Sequence, residues 1–322
     1  MPIVLLLLAV AAFAQPAAHP YEYFLTGSAA DVRPKTAPGF VLMGGGKDVD
    51  AAFRWLVRKA GGGDVVVLRA SGADGYNQYI YRMGVDSVES LVVKTSEAAR
   101  DPFVLERIRN AEALWIAGGD QWNYVRVWGP SPMRAAMQSL IDRGVPMGGT
   151  SAGLAVLGQF VYTAEKDTVT SRQALENPYH ERVTVGSDFL DIPVLRGIIT
   201  DTHFVARDRL GRLLTFMARI LADRRAEEVR AIAVDERTAA LAEPDGRATI
   251  AGDGPVFFLR ATAPPEICKP RAPLTFAGIS VYRVKSGGSF DLTTWTGREG
   301  AAYQLSVEAG VIRSTQPGGS PY

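Results

Sequence analysis

Cysteine is almost missing from this chain: its 322 residues include one, Cys268. A single thiol excludes an internal disulfide and any cysteine-rich metal cluster, so stability must come from a packed core. Cys268 lies among prolines and reads as a buried or loop thiol with no catalytic role. Histidine is nearly as scarce, and His19, His180 and His203 are too widely separated to form a ligand set of zinc spacing. No metal or cofactor is expected. Charge of one sign is also lacking: 35 Lys and Arg face 34 Asp and Glu, a formal net charge of +1. That balance argues against nucleic acid or an anionic membrane surface as a partner. Internal repeats and low-complexity tracts are absent. What remains is 47% hydrophobic and 21% charged, enough for a substantial core.

One apolar block stands out at the start. Ile3 to Ala14 ends in Ala12-Phe13-Ala14, a small-x-small cleavage pattern, which reads as a signal peptide over 1–14 and an exported chain, periplasmic or extracellular. The block is short for a membrane span, so no stable span is expected after cleavage; an uncleaved anchor is the alternative. Residues 15–38 carry Pro16, Pro20, Pro34 and Pro38 and read as a linker or N-terminal arm. From Gly39 strand and helix patterns alternate. Strands are expected at 40–43, 64–70, 90–94, 113–117, 194–200 and 231–234, and helices at 75–83, 103–109, 132–143 and 204–222. This predicts an α/β fold with a doubly wound, mostly parallel sheet over 39–262. Antiparallel β character sets in from Thr238, and 263–322 is expected as a C-terminal β extension packed on the catalytic domain. The polar stretch 159–191 reads as a hairpin or loop excursion walling a cleft.

The chain is organised around Val145 to Leu157. Gly149-Thr150-Ser151-Ala152-Gly153 fits the G-x-S-x-G elbow, in which a serine sits on a sharp strand-to-helix turn above the carboxyl edge of a sheet. A serine hydroxyl needs a base, normally an imidazole oriented by a third group. His19 falls in the arm and His180 in a polar loop. His203 follows a strand end and should emerge on the same edge as Ser151. For the orienting carboxylate, Asp201 is too near His203 along the chain to turn back on it, whereas Glu236 comes from a separate strand end and is preferred. The order Ser, His, Glu differs from the Ser, acid, His order of α/β-hydrolases. A second glycine pair, Gly118-Gly119 before Asp120-Gln121, is a candidate backbone donor site. Gly44-Gly45-Gly46-Lys47 fails as a phosphate loop, because Val41 and Asp48 stand where glycine and Ser or Thr are needed, and Val49 breaks the dinucleotide fingerprint.

Taken together, Met43-Gly44-Gly45-Gly46, Gly118-Gly119-Asp120-Gln121, Gly149 to Gly153, Asp201-Thr202-His203-Phe204 with Arg207, Arg209, Gly211 and Arg212, and Asp235 to Ala239 resemble cyanophycinase and the wider S51 serine peptidase family. The resemblance implies a class I glutamine amidotransferase-like, flavodoxin-like fold and a catalytic Ser151, His203, Glu236 triad. It also implies an oxyanion hole from the N–H groups of Ala152 and Gly119, substrate binding by Gln121 and Arg209, and a homodimer. Cyanophycinases release β-aspartyl-arginine dipeptides from cyanophycin, an aspartate backbone carrying arginine on its side groups, so a peptide or small-peptide substrate, cyanophycin included, is expected. Asp120 and Asp201 join the expected substrate-binding set, and Asp120, Glu165 and Asp167 are candidate partners for a guanidinium. Thr202 and Leu154 depart from the family pattern, which has Gln before the histidine and a small residue after the elbow. The alternatives are an exported dipeptidase or amidase on another acidic substrate, and a non-catalytic extracytoplasmic binding protein on the same fold.

Overall fold

A computed structural model describes residues 19–322; the expected signal segment 1–14 lies outside the described residues. The first strands are β1 (Glu22–Gly27), β2 (Phe40–Met43), β3 (Asp64–Arg69), β4 (Ser87–Val92), β5 (Ala113–Ile116) and β6 (Met147–Thr150). Then come β7 (Phe160–Tyr162), β8 (Val185–Ser187), β9 (Ile198–Asp201) and β10 (Val229–Val234). The last third supplies β11 (Thr238–Ala242), β12 (Arg247–Gly252), β13 (Val256–Ala261), β14 (Phe276–Asp291), β15 (Thr296–Glu308) and β16 (Val311–Ser314).

Two parallel groups form the frame. One runs β4-β3-β5-β6-β2 and the other β10-β9-β7. Residues of β2 and β3 alternate between two apolar layers. Phe40, Leu42, Val66 and Leu68 pack with Val104, Ile108, Met133 and Met137 of helices Pro102–Asn110 and Pro132–Asp142. Val41, Met43, Val65 and Val67 pack with Phe53, Leu56 and Val57 of helix Asp50–Lys59 and Ile80 of helix Asn77–Tyr81. Covering both faces is what makes these strands continuous apolar runs. A further core joins helix Leu210–Ala222 to Ile199, Ala231, Ala233 and Phe257.

The antiparallel strands are more than an appendage. β11 pairs with β2, and the ladder continues through β12, β14 and β13 to β10, so it joins the two parallel groups into one sheet. The expected boundary at 262/263 therefore falls between two strands, β13 and β14, that pair with each other. The arm at 15–38 contributes β1, antiparallel to β4 at the edge. The 159–191 excursion holds the β7–β8 hairpin and helix Ser171–Glu176, whose Thr170 and Gln173 form a capping box. Two helices are shorter than expected. The elbow helix is one turn, Ala152–Ala155, because the chain must re-enter the sheet at Phe160. The helix expected from Phe204 begins at Leu210, since His203 (φ 46°) and Asp208 (φ 45°) hold a left-handed backbone that no helix can include.

Candidate active site

Three strand ends meet at one edge. β6 runs into Ser151, whose φ of 53° and ψ of −118° are a strained conformation, and whose N–H donates to the Met43 carbonyl at 3.1 Å. Glycine makes the bend possible: a Cβ on Gly149 would stand 2.5 Å from the Gly153 carbonyl carbon, and one on Gly153 2.0 Å from the Ile116 oxygen. His203 follows β9 and Glu236 follows β10. Ser151 Oγ lies 2.7 Å from His203 Nε2, and His203 Nδ1 lies 2.6 Å from Glu236 Oε1. An ionised carboxylate only accepts, so Nδ1–H donates to Glu236 and Nε2 is left to accept from the serine hydroxyl.

The glycine triplet finds its use here. A Cβ on Gly45 would stand 2.4 Å from His203 Cε1, and one on Gly46 3.1 Å from Glu236 Cβ. Only a chain without side chains can lie against the imidazole and the carboxylate at once. Its backbone also holds them: His203 N–H donates to the Gly44 carbonyl and Arg237 N–H to the Gly45 carbonyl, both at 2.8 Å. Asp235 Oδ1 accepts from the N–H groups of Val205 and Ala206 at 3.1 and 3.0 Å, pinning the turn after His203. Sequence reasoning gave neither the triplet nor Asp235 a role, because both act on residues distant in the chain or through backbone alone.

Burial holds the imidazole below its ordinary pKa, Arg207 and Arg209 add to this, and Glu236 opposes it. The Glu236 carboxyl is held below the usual carboxylate range, first by the hydrogen bond from His203. A neutral imidazole beside an ionised carboxylate is the state a general base requires. Ala152 follows the serine and Gly119 lines the same cleft, and neither N–H has an acceptor among the described residues. Two free backbone donors beside a hydroxyl can hold an oxyanion.

Ser151 opens onto a cleft of about 440 Å³. Gln121 lies on one wall, its Nε2 donating to the Tyr162 carbonyl at 3.3 Å, and Asp120 caps the next turn by accepting from Trp122 N–H at 2.9 Å. Glu165 and Asp167 line the rim on the same excursion that carries Tyr162. The cleft is also lined by Arg207, half-exposed with Nε 3.7 Å from Glu236 Oε1, and by Arg209. Arg209 Nη1 donates to the Thr202 carbonyl and hydroxyl, both at 3.0 Å, and burial pushes its guanidinium down to about 10. Asp201 needs a correction. It lines the cleft, but its buried carboxylate is taken up by Arg212, through Nε at 2.9 Å and Nη2, and by Thr202 N–H at 2.8 Å. It anchors a guanidinium instead of offering a free carboxylate to a substrate. Arg212, to which sequence reasoning gave no role, is the buried partner.

Cys268 stays apart from the cleft, its thiol pushed up to about 11 by burial. Among the described residues no group of three or more His, Cys, Asp or Glu could hold a metal ion, and no helix is long and apolar enough to cross a membrane.

Comparison with known proteins gives this geometry a family. Residues 73–177 match the model of peptidase family S51. A cyanophycinase of Trichormus variabilis is 27% identical over 223 residues, covering 67% of this chain and 69% of that one. A cyanophycinase of Synechococcus elongatus is 26% identical over 234 residues, covering 69% and 68%. Over residues 73–177 the chain is similar to peptidase family S51, and over two thirds of its length to the cyanophycinases. These similarities support a serine-type peptidase. The matched stretch holds Gly119, Asp120, Gln121, Ser151 and Ala152, while His203 and Glu236 lie beyond it. A solved peptidase from an acI-B1 Actinobacterium superposes with a TM-score of 0.54 at 16% identity, covering 80% of this chain and 98% of that one, which speaks for the fold.

Proposed function

We propose that this chain is an S51 serine peptidase of cyanophycinase type, hydrolysing β-aspartyl or related amide bonds through Ser151, His203 and Glu236. The observation that carries the reading is the unbroken hydrogen-bond chain from serine hydroxyl to imidazole to carboxylate, at 2.7 and 2.6 Å. His203 Nε2 takes the proton as Ser151 Oγ attacks the amide carbonyl carbon. The N–H groups of Ala152 and Gly119 hold the oxyanion that forms. The C–N bond then breaks, the imidazolium returns its proton to the departing amine, and an acyl-enzyme remains. Water, deprotonated by His203 in turn, attacks the ester carbon and releases the acid and the free serine.

The polarity of the cleft supports the substrate class. Among the residues lining the cleft, Arg207 and Arg209 suit a carboxylate, and Asp120, Glu165 and Asp167 suit a guanidinium. A β-aspartyl-arginine unit carries one of each. Export through the 1–14 signal and assembly as a homodimer complete the proposal. The test is to incubate the purified chain with cyanophycin beside a panel of β-aspartyl dipeptides and read the products by mass. Release of β-aspartyl-arginine by the wild type, through cleavage of the backbone amides that join such units, and none by Ser151→Ala is the expected result. Cleavage of the dipeptides alone would move the assignment to a dipeptidase, and an unlabelled Ser151 under a fluorophosphonate would move it to a binding protein.

A further inference from the structure

The loop from His203 to Arg209 carries the base, Arg207 and the more buried Arg209, and two of its residues, at φ 46° and 45°, hold a backbone that only surrounding contacts can sustain. Asp235 secures the first half at residues 205 and 206. The second half is secured from the far end of the chain. Tyr322 Oη donates to Asp208 Oδ1 at 2.8 Å and accepts from Leu210 N–H at 3.1 Å. Leu210 is the first residue of the 13-residue helix Leu210–Ala222, and Arg209, which flanks it, gives no side-chain cap. The opening N–H groups of a helix have no partner within it, so the phenol supplies what the local sequence does not. The Tyr322 ring stands edge-on to Phe204 and Phe257, with centroids 5.7 and 6.1 Å away. Its own segment is fixed: Gln316 Nε2 donates to the Ser320 and Tyr322 carbonyls, and Tyr303 Oη donates to the Pro321 carbonyl.

These contacts bracket Arg209 from both sides, at 208 and at 210. We propose that Tyr322 is a positioning residue for substrate binding: it fixes the helix start so that the Arg209 guanidinium meets a substrate carboxylate in one orientation. The inference rests on the hydrolytic reading above and ties the C-terminal β strands to the recognition half of the cleft. His203 has separate supports at Gly44 and Asp235, so the proton-transfer machinery does not depend on the phenol.

Tyr322→Phe keeps the ring and removes the two hydrogen bonds. The expected result on a carboxylate-bearing substrate is a KM raised roughly tenfold, with kcat and the rate of fluorophosphonate labelling of Ser151 within about twofold of wild type. Asp208→Gly, which suits a φ of 45° and lacks the carboxylate, should give the same split, and the double variant should be no worse than either single one. Asp208→Asn keeps an acceptor for the phenol and should restore wild-type KM. An unchanged KM in Tyr322→Phe and Asp208→Gly overturns the proposal, as does a joint fall of kcat, labelling and melting temperature. A wild type that neither hydrolyses nor is labelled tells against the hydrolytic reading itself.

Discussion

The two edges of the parallel sheet use the same side chain and set it to opposite states. At the carboxyl edge, Glu236 faces an imidazole at 2.6 Å and Arg207 at 3.7 Å, and its carboxyl is held below the usual carboxylate range. At the amino edge, Glu112 precedes β5 with 7% of its surface exposed, and its carboxyl is pushed up to about 7. Burial is the first cause there, and the charges of Asp64 and Asp31 add to it, against a hydrogen bond from Asp64 N–H at 3.0 Å and the charge of Arg143. Partners decide the outcome. At the carboxyl edge cations gather around Glu236, whereas the amino edge sets Glu112 beside Asp64, whose Oδ1 accepts from Ser87 Oγ at 2.6 Å. Ser151, His203 and Arg237 at the carboxyl edge all hold a positive φ.

Variants at the carboxyl edge should remove activity and leave the fold. Ser151→Ala is expected to lower kcat by about 10⁴ to 10⁶, with a thermal melt close to wild type. Glu236→Gln should cost about 10³ to 10⁴, because an amide in place of the acceptor lets the imidazole take the wrong tautomer. In the wild type, kcat/KM should rise with pH through the His203 pKa, below the ordinary imidazole range, and be flat above it. A profile rising only above neutral pH would show that Arg207, Arg209 and burial do not govern the base. Gly45→Ala comes next, since its Cβ would enter the imidazole position at a φ of 103°. About 10² to 10³ in kcat and about 1–3 kcal/mol of stability should go together, read by turnover and by denaturant unfolding.

What the sequence made legible was local. The elbow at Gly149 to Gly153 was readable because five consecutive residues determine it, and His203 and Glu236 could be nominated because each follows an apolar strand run. The alternation of strands and helices came from periodicity in the same way. The helix over 204–222 was misjudged because its pattern is amphipathic throughout, while the left-handed backbone at His203 and Asp208 is imposed by Asp235, Tyr322 and the glycine triplet. Asp201 was misjudged for the same reason: its partner, Arg212, lies in the following helix, and nothing in a one-dimensional reading says which acid is already engaged. Tyr322 carried no motif. Nor could pattern alone tell that β11 to β14 would bridge the two parallel groups, because strand partners are set by long-range closure.

The smallest effect tests the amino edge. Glu112 has a folded pKa of about 7, above its ordinary 4.5, so folding favours the protonated form. The stability this contributes is fully present below about pH 4.5 and is lost as pH rises through 7. Glu112→Gln keeps an oxygen to accept from Asp64 N–H and removes the titration. The variant should therefore match wild type near pH 4.5 and melt higher by roughly 1–4 °C at pH 8, with kcat and KM unchanged. Glu236 has the opposite sign, because its depressed pKa makes a contribution present above about pH 4.5 and lost in acid. If Glu112→Gln destabilised the chain at pH 8, the carboxylate would be favourably paired there, and burial would not hold its pKa above the ordinary carboxylate range.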